Sequence, residues 1–435
     1  MRPGAGGEAV EGRAPGAARA GYIRLAMSER FKAPRGTFDL MPDESALRVS
    51  LYLATAEAFE RAGYGRLETP VFEETELFER GVGASTDIVR KEMFTFSDQG
   101  DRSLTLRPEG TAPICRAYVE HGMQKLPQPV KLWHWGPFFR HERPQAGRFR
   151  QFHQFGAEAI GSGSPLVDAE LIVLLNDLLH RLSVPGLRLR LGSLGSAEGR
   201  AAYREELRAY LHANRSELSG DVRDRIDENP MRAFDSKDEG TRAVMAKAPT
   251  MLEGLSGEDA EHFAEVRSLL KRAGVEHQLD GTLVRGLDYY TRTVFSFECE
   301  RLGAQSEIAG GGRYDGLVEL LGGPPTPAMG WACGIERVLL ALDAHGGTPP
   351  VQVFVVAPEG QRERALGLAF ELRRAGIAAD LDLADRSLKG QMKQADRSGA
   401  DLAVILDEDG DALARDMDTG EQRPVDIARI VEELA

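Results

Sequence analysis

The chain has 435 residues, 42% of them hydrophobic and 28% charged, with a formal net charge of -14. That length leaves room for roughly two to four domains at about 150 residues each, and the composition is that of a chain able to bury a core. The absence of any apolar run of about 18 residues argues against a membrane span, and the net acidity argues against indiscriminate coating of nucleic acid, though not against a partner gripped by local basic patches.

The three cysteines, Cys115, Cys299 and Cys333, stand far apart and form no CxxC pair. This count argues against a disulfide framework and predicts a reducing, cytoplasmic setting in which each is a small buried apolar residue.

Residues 1–27 are rich in Gly, Ala and Arg and show no apolar periodicity, so disorder is expected there. The segment lacks the apolar stretch of a secretory signal. Met27-Ser28 is a candidate start, with the preceding residues an extension. From Pro42 the spacing predicts a helix that Asp43 can cap and Gly63 stops. Tyr64 to Phe72 reads as a strand with Pro70 near its end. Short strands are predicted at Leu104 to Leu106 and Val130 to Trp135, with a helix from Pro113 to His121 between them. The segment Phe138 to Glu158 then reads as strand, turn, strand, with Pro144, Gln145, Ala146 and Gly147 in the turn. Asp168 to Leu182 is predicted helical.

Residues 195–275 are charged and helical in propensity, and read as an inserted helical module. Strand character returns from Leu283 to Glu300. Arg337 to Leu342 opens a helix after a glycine-rich strand. Gly346 to Pro350 is a linker. Beyond it, strands at Val351 to Val356, Ala379 to Leu383 and Leu402 to Leu406 alternate with a helix at Arg362 to Ala375. That alternation predicts a small parallel α/β domain at 350–435. It carries neither GxGxxG nor GxxxxGK[ST], so it is not read as a nucleotide-binding unit.

Four stretches carry chemistry. The densest is FFRHERPQAGRFRQFHQFGAE, Phe138 to Glu158. It sets Arg140, Arg143, Arg148 and Arg150 among Phe149, Phe152 and Phe155 on an acidic protein. Arginine forks grip phosphate and phenyl rings stack on bases, so an adenine nucleotide fits. Arg148, Arg150 and Phe152 share one parity along the strand, and Gln154 and Glu158 continue it if no bulge intervenes. In Arg107-Pro108-Glu109-Gly110-Thr111, a carboxylate and a hydroxyl flank a glycine. They can hold an ammonium group, or Thr111 can cap the next helix, and the two readings stand level. Leu283 to Thr291 places Arg285 beside Gly286 and ends on Tyr289 and Tyr290; alone, it fits a strand with core tyrosines slightly better than a pocket. Gly310-Gly311-Gly312-Arg313-Tyr314-Asp315 precedes GWACGIERVLL, where Arg337 enters an apolar helix.

No Ser/His/Asp order, HExxH or metal-spaced Cys/His set appears. His134, His141 and His153 have no usual ligand spacing and are assigned structural or hydrogen-bonding roles. No protein metal ligand is predicted. A site of arginines, glycines and a few carboxylates suits phosphoryl or nucleotidyl transfer, which depends on positioning and charge stabilisation.

From about Lys32 onward these motifs together resemble the class II aminoacyl-tRNA synthetases, and among them the bacterial histidine–tRNA ligases. Leu67-Glu68-Thr69-Pro70, FFRHERPQAGRFRQF and GWACGIERVLLAL are similar to the three class II motifs. LVRGLDYYTRTVF and AGGGRYDGL resemble the histidine-specific signatures. The resemblance implies an α+β catalytic domain on an antiparallel sheet (28–194 and 276–345), a helical insertion at 195–275, an anticodon-binding α/β domain at 350–435, and a homodimer.

It further implies a site. Glu109, Gly110, Thr111 and Gln154 would hold the ammonium group of L-histidine. Glu158 and Tyr290 would bind its imidazole, with Tyr289 and Tyr314 closing the pocket. Arg140 and Arg285 would flank the α-phosphate of ATP as the catalytic pair, and Arg285 would also touch histidine. Glu142 would join the ATP site, Phe152 would stack on adenine, and Arg337 would cover its other face. Mg²⁺ would accompany the phosphates. Gln145 and Arg150 would approach tRNA(His), whose extra 5′ guanosine the family reads. Two rivals share the fold: a histidine-sensing regulatory paralogue of ATP phosphoribosyltransferase without ligase activity, and a synthetase for another amino acid. The intact arginines weigh against the first, and RGLDYY against the second.

Overall fold

The computed structural model describes residues 31–84, 86–145, 147–283, 286–343, 351–409 and 411–435. The expected disorder of 1–27 and the linker at Gly346 to Pro350 lie outside these residues. The chain divides into two compact units, one holding Ala56–Leu342 and the other Asp343–Ala435 with Leu40–Thr55.

The first unit is built on an eight-stranded sheet. In chain order its strands are β1 (Gly65–Arg66), β2 (Val130–Phe139), β3 (Gln151–Ile160), β4 (Leu187–Ser193), β5 (Gln278–Leu279), β6 (Thr291–Cys299), β7 (Glu307–Arg313) and β8 (Ala328–Gly334). They lie in the order β1-β2-β3-β8-β7-β6-β4-β5. The six central strands are antiparallel, as the sequence leads one to expect; the two-residue edges, β1 on β2 and β5 on β4, pair parallel and make the whole sheet mixed.

β2 and β3 pair over ten residues without a bulge, from Val130↔Ile160 to Phe139↔Gln151. The period of two therefore puts Phe152, Gln154, Gly156 and Glu158 on one face. The opposite face carries aromatic rings. Phe59 stacks on Trp133 at 5.0 Å and on Trp331 at 5.8 Å, and Phe155 meets Trp331 edge-on at 5.9 Å. The Trp331 indole N–H donates to the Leu171 carbonyl at 3.0 Å, which ties the Pro165–Arg181 helix to this face. Bulk on one face and small residues on the other, among them Gly156, Gly312 and Gly330, leave a hollow that only the second face offers.

In this unit two predicted strands are shorter than expected. Tyr64 to Phe72 is not one strand: Gly65–Arg66 joins the main sheet, while Phe72–Glu74 joins a separate three-stranded sheet with Phe94–Ser97 and Ser103–Leu106. Pro70 has no N–H to offer a ladder. The Arg107 guanidinium meanwhile occupies the carbonyls of Thr69 (2.8 Å) and Pro70 (3.4 Å). Leu283 to Glu300 is likewise a strand only from Thr291. The Arg200 guanidinium takes the carbonyls of Asp288 and Tyr290, so Gly286–Tyr290 forms a turn instead.

Residues 197–272 are mainly helical, led by Ala197–Ala213 and Gly257–Arg272. Ser196 caps the first by accepting from Gly199 N, and Tyr203, Leu207 and Leu211 recur at four-residue spacing on its buried face. These side chains join one core with Tyr289, Tyr290 and Tyr314.

The second unit has a five-stranded sheet ordered Ala379–Leu381, Val353–Val356, Leu402–Leu406, Ala412–Asp416, Gln422–Val425. The first three strands are parallel, as the βα alternation predicts. The last two are antiparallel. Only residues 407–411 separate Leu406 from Ala412, too few for the crossover that a parallel pairing needs.

A buried ionic cluster joins β7 to two helices. Arg313 and Asp168 are both fully buried, with Nη2 2.6 Å from Oδ1 and Nε donating to Oδ2 at 3.1 Å. His262, from the Gly257–Arg272 helix, also meets Asp168 Oδ2, at 2.8 Å. Removing one partner of a buried pair strands the other charge. Asp168→Ala is therefore expected to lower unfolding stability by about 3–5 kcal/mol. Urea denaturation checks this, and a loss below about 1 kcal/mol would contradict it.

Candidate active site

The hollow face of the sheet opens into a cavity of about 360 Å³. Its inner end begins at the turn before the Thr111–Glu120 helix. The Glu109 carboxylate accepts from the backbone N–H of Thr111 (2.8 Å) and Ala112 (2.9 Å), so Glu109, not Thr111, caps that helix. The Thr111 hydroxyl is released from capping and donates to Glu158 Oε1 at 2.8 Å. Tyr314 Oη donates to Glu158 Oε2 at 2.5 Å. Tyr289 Oη reaches Glu109 Oε2 at 3.4 Å. The Tyr289 ring lies 4.8 Å from Tyr290 and 5.7 Å from Tyr314.

Glu158 is 1% exposed. Burial pushes its carboxyl up to about 8, against the pull of the Tyr314 and Thr111 hydrogen bonds, and the nearby Glu109 carboxylate adds to the rise. Burial likewise raises Glu109 and pushes the Tyr289 and Tyr314 phenols well up, so both stay protonated donors. The space that Glu158 fills exists because residue 330 is glycine. A Cβ there would lie 1.5 Å from Glu158 Oε2.

The outer end is built of arginines. Arg140 donates from Nε to the Pro108 carbonyl at 2.9 Å, and its guanidinium lies 5.3 Å from the Phe152 ring centroid. Arg148 pairs with Glu142 at 3.0 Å. Arg337, from the Ile335–Leu342 helix, donates from Nε to the Glu307 carbonyl at 2.5 Å and reaches the Gly147 carbonyl at 3.5 Å. It thus spans two segments across the sheet. One end of the cavity therefore presents guanidinium groups beside the half-buried rings of Phe149 and Phe152, and the other presents carboxyls and phenols.

Of the residues singled out in the sequence, Glu109, Gly110, Thr111, Arg140, Glu142, Phe152, Gln154, Tyr289, Tyr290 and Arg337 line this cavity. Glu158 and Tyr314 lie behind the lining, joined to it through Thr111. Gln145 and Arg150 stand apart. Gln145 is exposed and bridges to Arg148, while Arg150 is tied by its N–H to Gly36 O at 2.8 Å and leans on the Glu142 and Arg35 carbonyls. Arg285 lies outside the described residues. Phe149, named with the arginine stretch, and His134, assigned a structural or hydrogen-bonding role, also line the cavity, as does Glu307, to which nothing in the sequence pattern points. His134 faces Gly156 in register, a pairing legible only once β2 and β3 are aligned.

The raised Glu158 has a measurable consequence. An unfolded carboxyl loses its proton in the ordinary range, so between there and pH 8 the folded chain holds more protons. The stability contributed by the neutral carboxyl is complete at low pH and is lost as pH rises through about 8. Without ligands, the melting temperature should fall relative to Glu158→Gln between about pH 5 and 9, by on the order of a few degrees. Parallel melting curves would show that Glu158 is ionised throughout.

Comparison with known proteins matches residues 36–338 to the model of the histidyl-tRNA synthetase family, and residues 351–435 to an anticodon-binding domain. The histidine–tRNA ligase of Moorella thermoacetica is 50% identical over 408 residues, covering 92% of this chain and 96% of its own. That of Desulforamulus reducens is 47% identical over 407 residues, covering 92% and 97%. The crystal structure of apo S. aureus histidyl-tRNA synthetase is 36% identical, covers 93% of this chain and 99% of its own, and superposes with a TM-score of 0.78. A Bacillus halodurans ATP phosphoribosyltransferase regulatory subunit/histidyl-tRNA synthetase, 24% identical with a TM-score of 0.63, shares the fold. With both units matched in order and 92% of the chain covered by relatives of 47–50% identity, the chain belongs to the histidyl-tRNA synthetase family.

Proposed function

We propose that this chain activates L-histidine with ATP to histidyl-adenylate and transfers the histidyl group to the 3′ end of tRNA(His). The observation that carries this reading is the junction of two unlike ends in one cavity. An arginine–phenylalanine grip for a nucleotide meets a buried carboxyl flanked by phenols.

An imidazole has two ring nitrogens to satisfy. Glu158 and Tyr290 are the groups that would meet them. A side chain lacking those nitrogens leaves both unpaired, which costs about 1–3 kcal/mol each. Glu109 and Gln154 would hold the ammonium group, which leaves the histidine carboxylate directed at the arginines. The carboxylate attacks the α-phosphorus in line, the bond to the β-phosphate oxygen breaks, and pyrophosphate leaves. Arg140, with Arg285 across the phosphorus, would neutralise the charge that grows there. Phe152 would support the adenine and Arg337 would cover it. The terminal adenosine hydroxyl of the tRNA then attacks the carbonyl carbon, and AMP leaves.

Mg²⁺ neutralises phosphate charge in such sites and takes one or two protein carboxylates beside the phosphates. Glu142 and Glu307 line the arginine end and fit that demand. Among the described residues there is no cluster of three or more metal-ligating side chains, so the phosphates would supply the rest of the shell.

Gln145 is exposed on the turn beside the cavity and is the residue proposed to meet the acceptor end of the tRNA, with Arg150 behind it. The unit beyond residue 350 would bind the anticodon, and residues 195–275 would clasp the acceptor stem. A homodimer through the segment at Leu67 to Pro70 is supported by the neighbouring exposed Val71, Phe72 and Phe96. No helix among the described residues is long and apolar enough to cross a membrane, which suits the proposed cytoplasmic location. The sensor reading is disfavoured because Arg140, Arg337 and the C-terminal unit are all present.

ATP–pyrophosphate exchange over a panel of amino acids is expected to respond to histidine alone; no exchange would favour the sensor. Glu158→Ala should cut histidine-dependent exchange by about 10²-fold or more with the fold intact, since it leaves two donors unpaired. Arg140→Ala should lower turnover by about 10²–10³-fold. Near-normal exchange in either variant would defeat its assignment.

A further inference from the structure

Residues 286–290 carry Tyr289 and Tyr290 into the cavity, yet they lie outside the sheet, and β6 begins only at Thr291. No ladder fixes their peptide groups, so the carbonyls need donors from elsewhere. Arg200 supplies them. Its Nη1 donates to the Asp288 carbonyl at 3.1 Å and also to the Tyr290 carbonyl. The first carbonyl belongs to the peptide joining Asp288 to Tyr289, the second to the peptide joining Tyr290 to Thr291. The two anchored peptides thus bracket both tyrosines. A residue has only two soft backbone dihedrals, so holding the flanking peptide planes limits where the two rings can point.

Arg200 does not line the cavity. It stands on the first turn of the helix Ala197–Ala213, at the root of the helical insertion. The rest of that root is tied to the same stretch. Arg292 N–H donates to the Gly195 carbonyl at 2.6 Å, and Leu194 N–H donates to the Arg292 carbonyl at 2.7 Å. The Asp259 carboxylate, from the Gly257–Arg272 helix, accepts from Ser196 N–H at 2.7 Å on one oxygen and from Arg292 Nε at 3.0 Å on the other. Both long helices of the insertion therefore close on residues 288–292.

We propose that Arg200 is a positioning residue for the amino-acid site, through which the helical insertion holds Tyr289 and Tyr290 in place for histidine. This rests on the histidine-activating reading above. It gives the insertion a role in amino-acid binding besides the tRNA clasp proposed for it.

The test uses the full-length protein in ATP–pyrophosphate exchange. Arg200→Met keeps a long stem and removes the donors. The bond from Asp288 N–H to the Val82 carbonyl, at 3.2 Å, and the backbone pair at Arg292 remain, so the turn is loosened at the tyrosines and still held at its ends. The KM for histidine should rise about tenfold, the scale of two hydrogen bonds whose loss leaves carbonyls unpaired. The KM for ATP should stay within about twofold of the parent, because Arg140, Phe152 and Arg337 sit on other segments. Arg200→Lys offers one nitrogen with three donors where a single Nη1 serves both carbonyls. It should recover most of the loss, and it guards against a folding artefact. Equal rises in the two KM values, an unchanged KM for histidine, or a Lys variant no better than the Met variant would each overturn the proposal. If the parent protein shows no histidine-dependent exchange at all, the functional reading fails first, and the two failures are thereby told apart.

Discussion

One carboxyl group in a nearly dry place organises the catalytic end of this molecule. Glu158 has almost no contact with water and accepts from Thr111 on one oxygen and Tyr314 on the other. A group so placed is tolerable only when both oxygens are satisfied. That demand fixes three chain segments relative to one another: the helix start at Thr111, strand β3 and the residue just past β7. Gly330 contributes by its absence of a side chain, since the carboxylate fills that volume. Glu109 takes over helix capping, and this frees Thr111 to serve Glu158 instead.

The same segments are anchored from behind. Arg313 precedes Tyr314 in sequence, so its side chain leaves the strand on the other side. There it is fully buried, and its fork engages Asp168, Asp315 and the carbonyls of Ser162 and Ser164. The adjacent residues Arg313 and Tyr314 therefore join the helical layer to the pocket. Helix Gly257–Arg272 enters the same cluster through His262. The position of the phenol that meets Glu158 thus depends on packing well away from any ligand.

The sequence showed the site more clearly than the boundaries of its elements. The parity of Phe152, Gln154 and Glu158 was readable because β3 runs ten residues with no bulge. Arginines crowded among phenylalanines on an acidic chain mark the end of the cavity proposed for the nucleotide. The ends of strands were less legible. At Pro70 and at Asp288 to Tyr290, arginines distant in sequence, Arg107 and Arg200, take the carbonyls that a ladder would use. No local pattern announces such a partner.

The account turns on Tyr314 acting through Glu158 and not independently. A double-mutant cycle on kcat/KM for histidine, using Tyr314→Phe, Glu158→Gln and the pair, measures that coupling directly. The account predicts that losing the phenol costs much when Glu158 is present and little once Glu158 is gone. Costs that simply add would show that the two groups do not work as one and would contradict it.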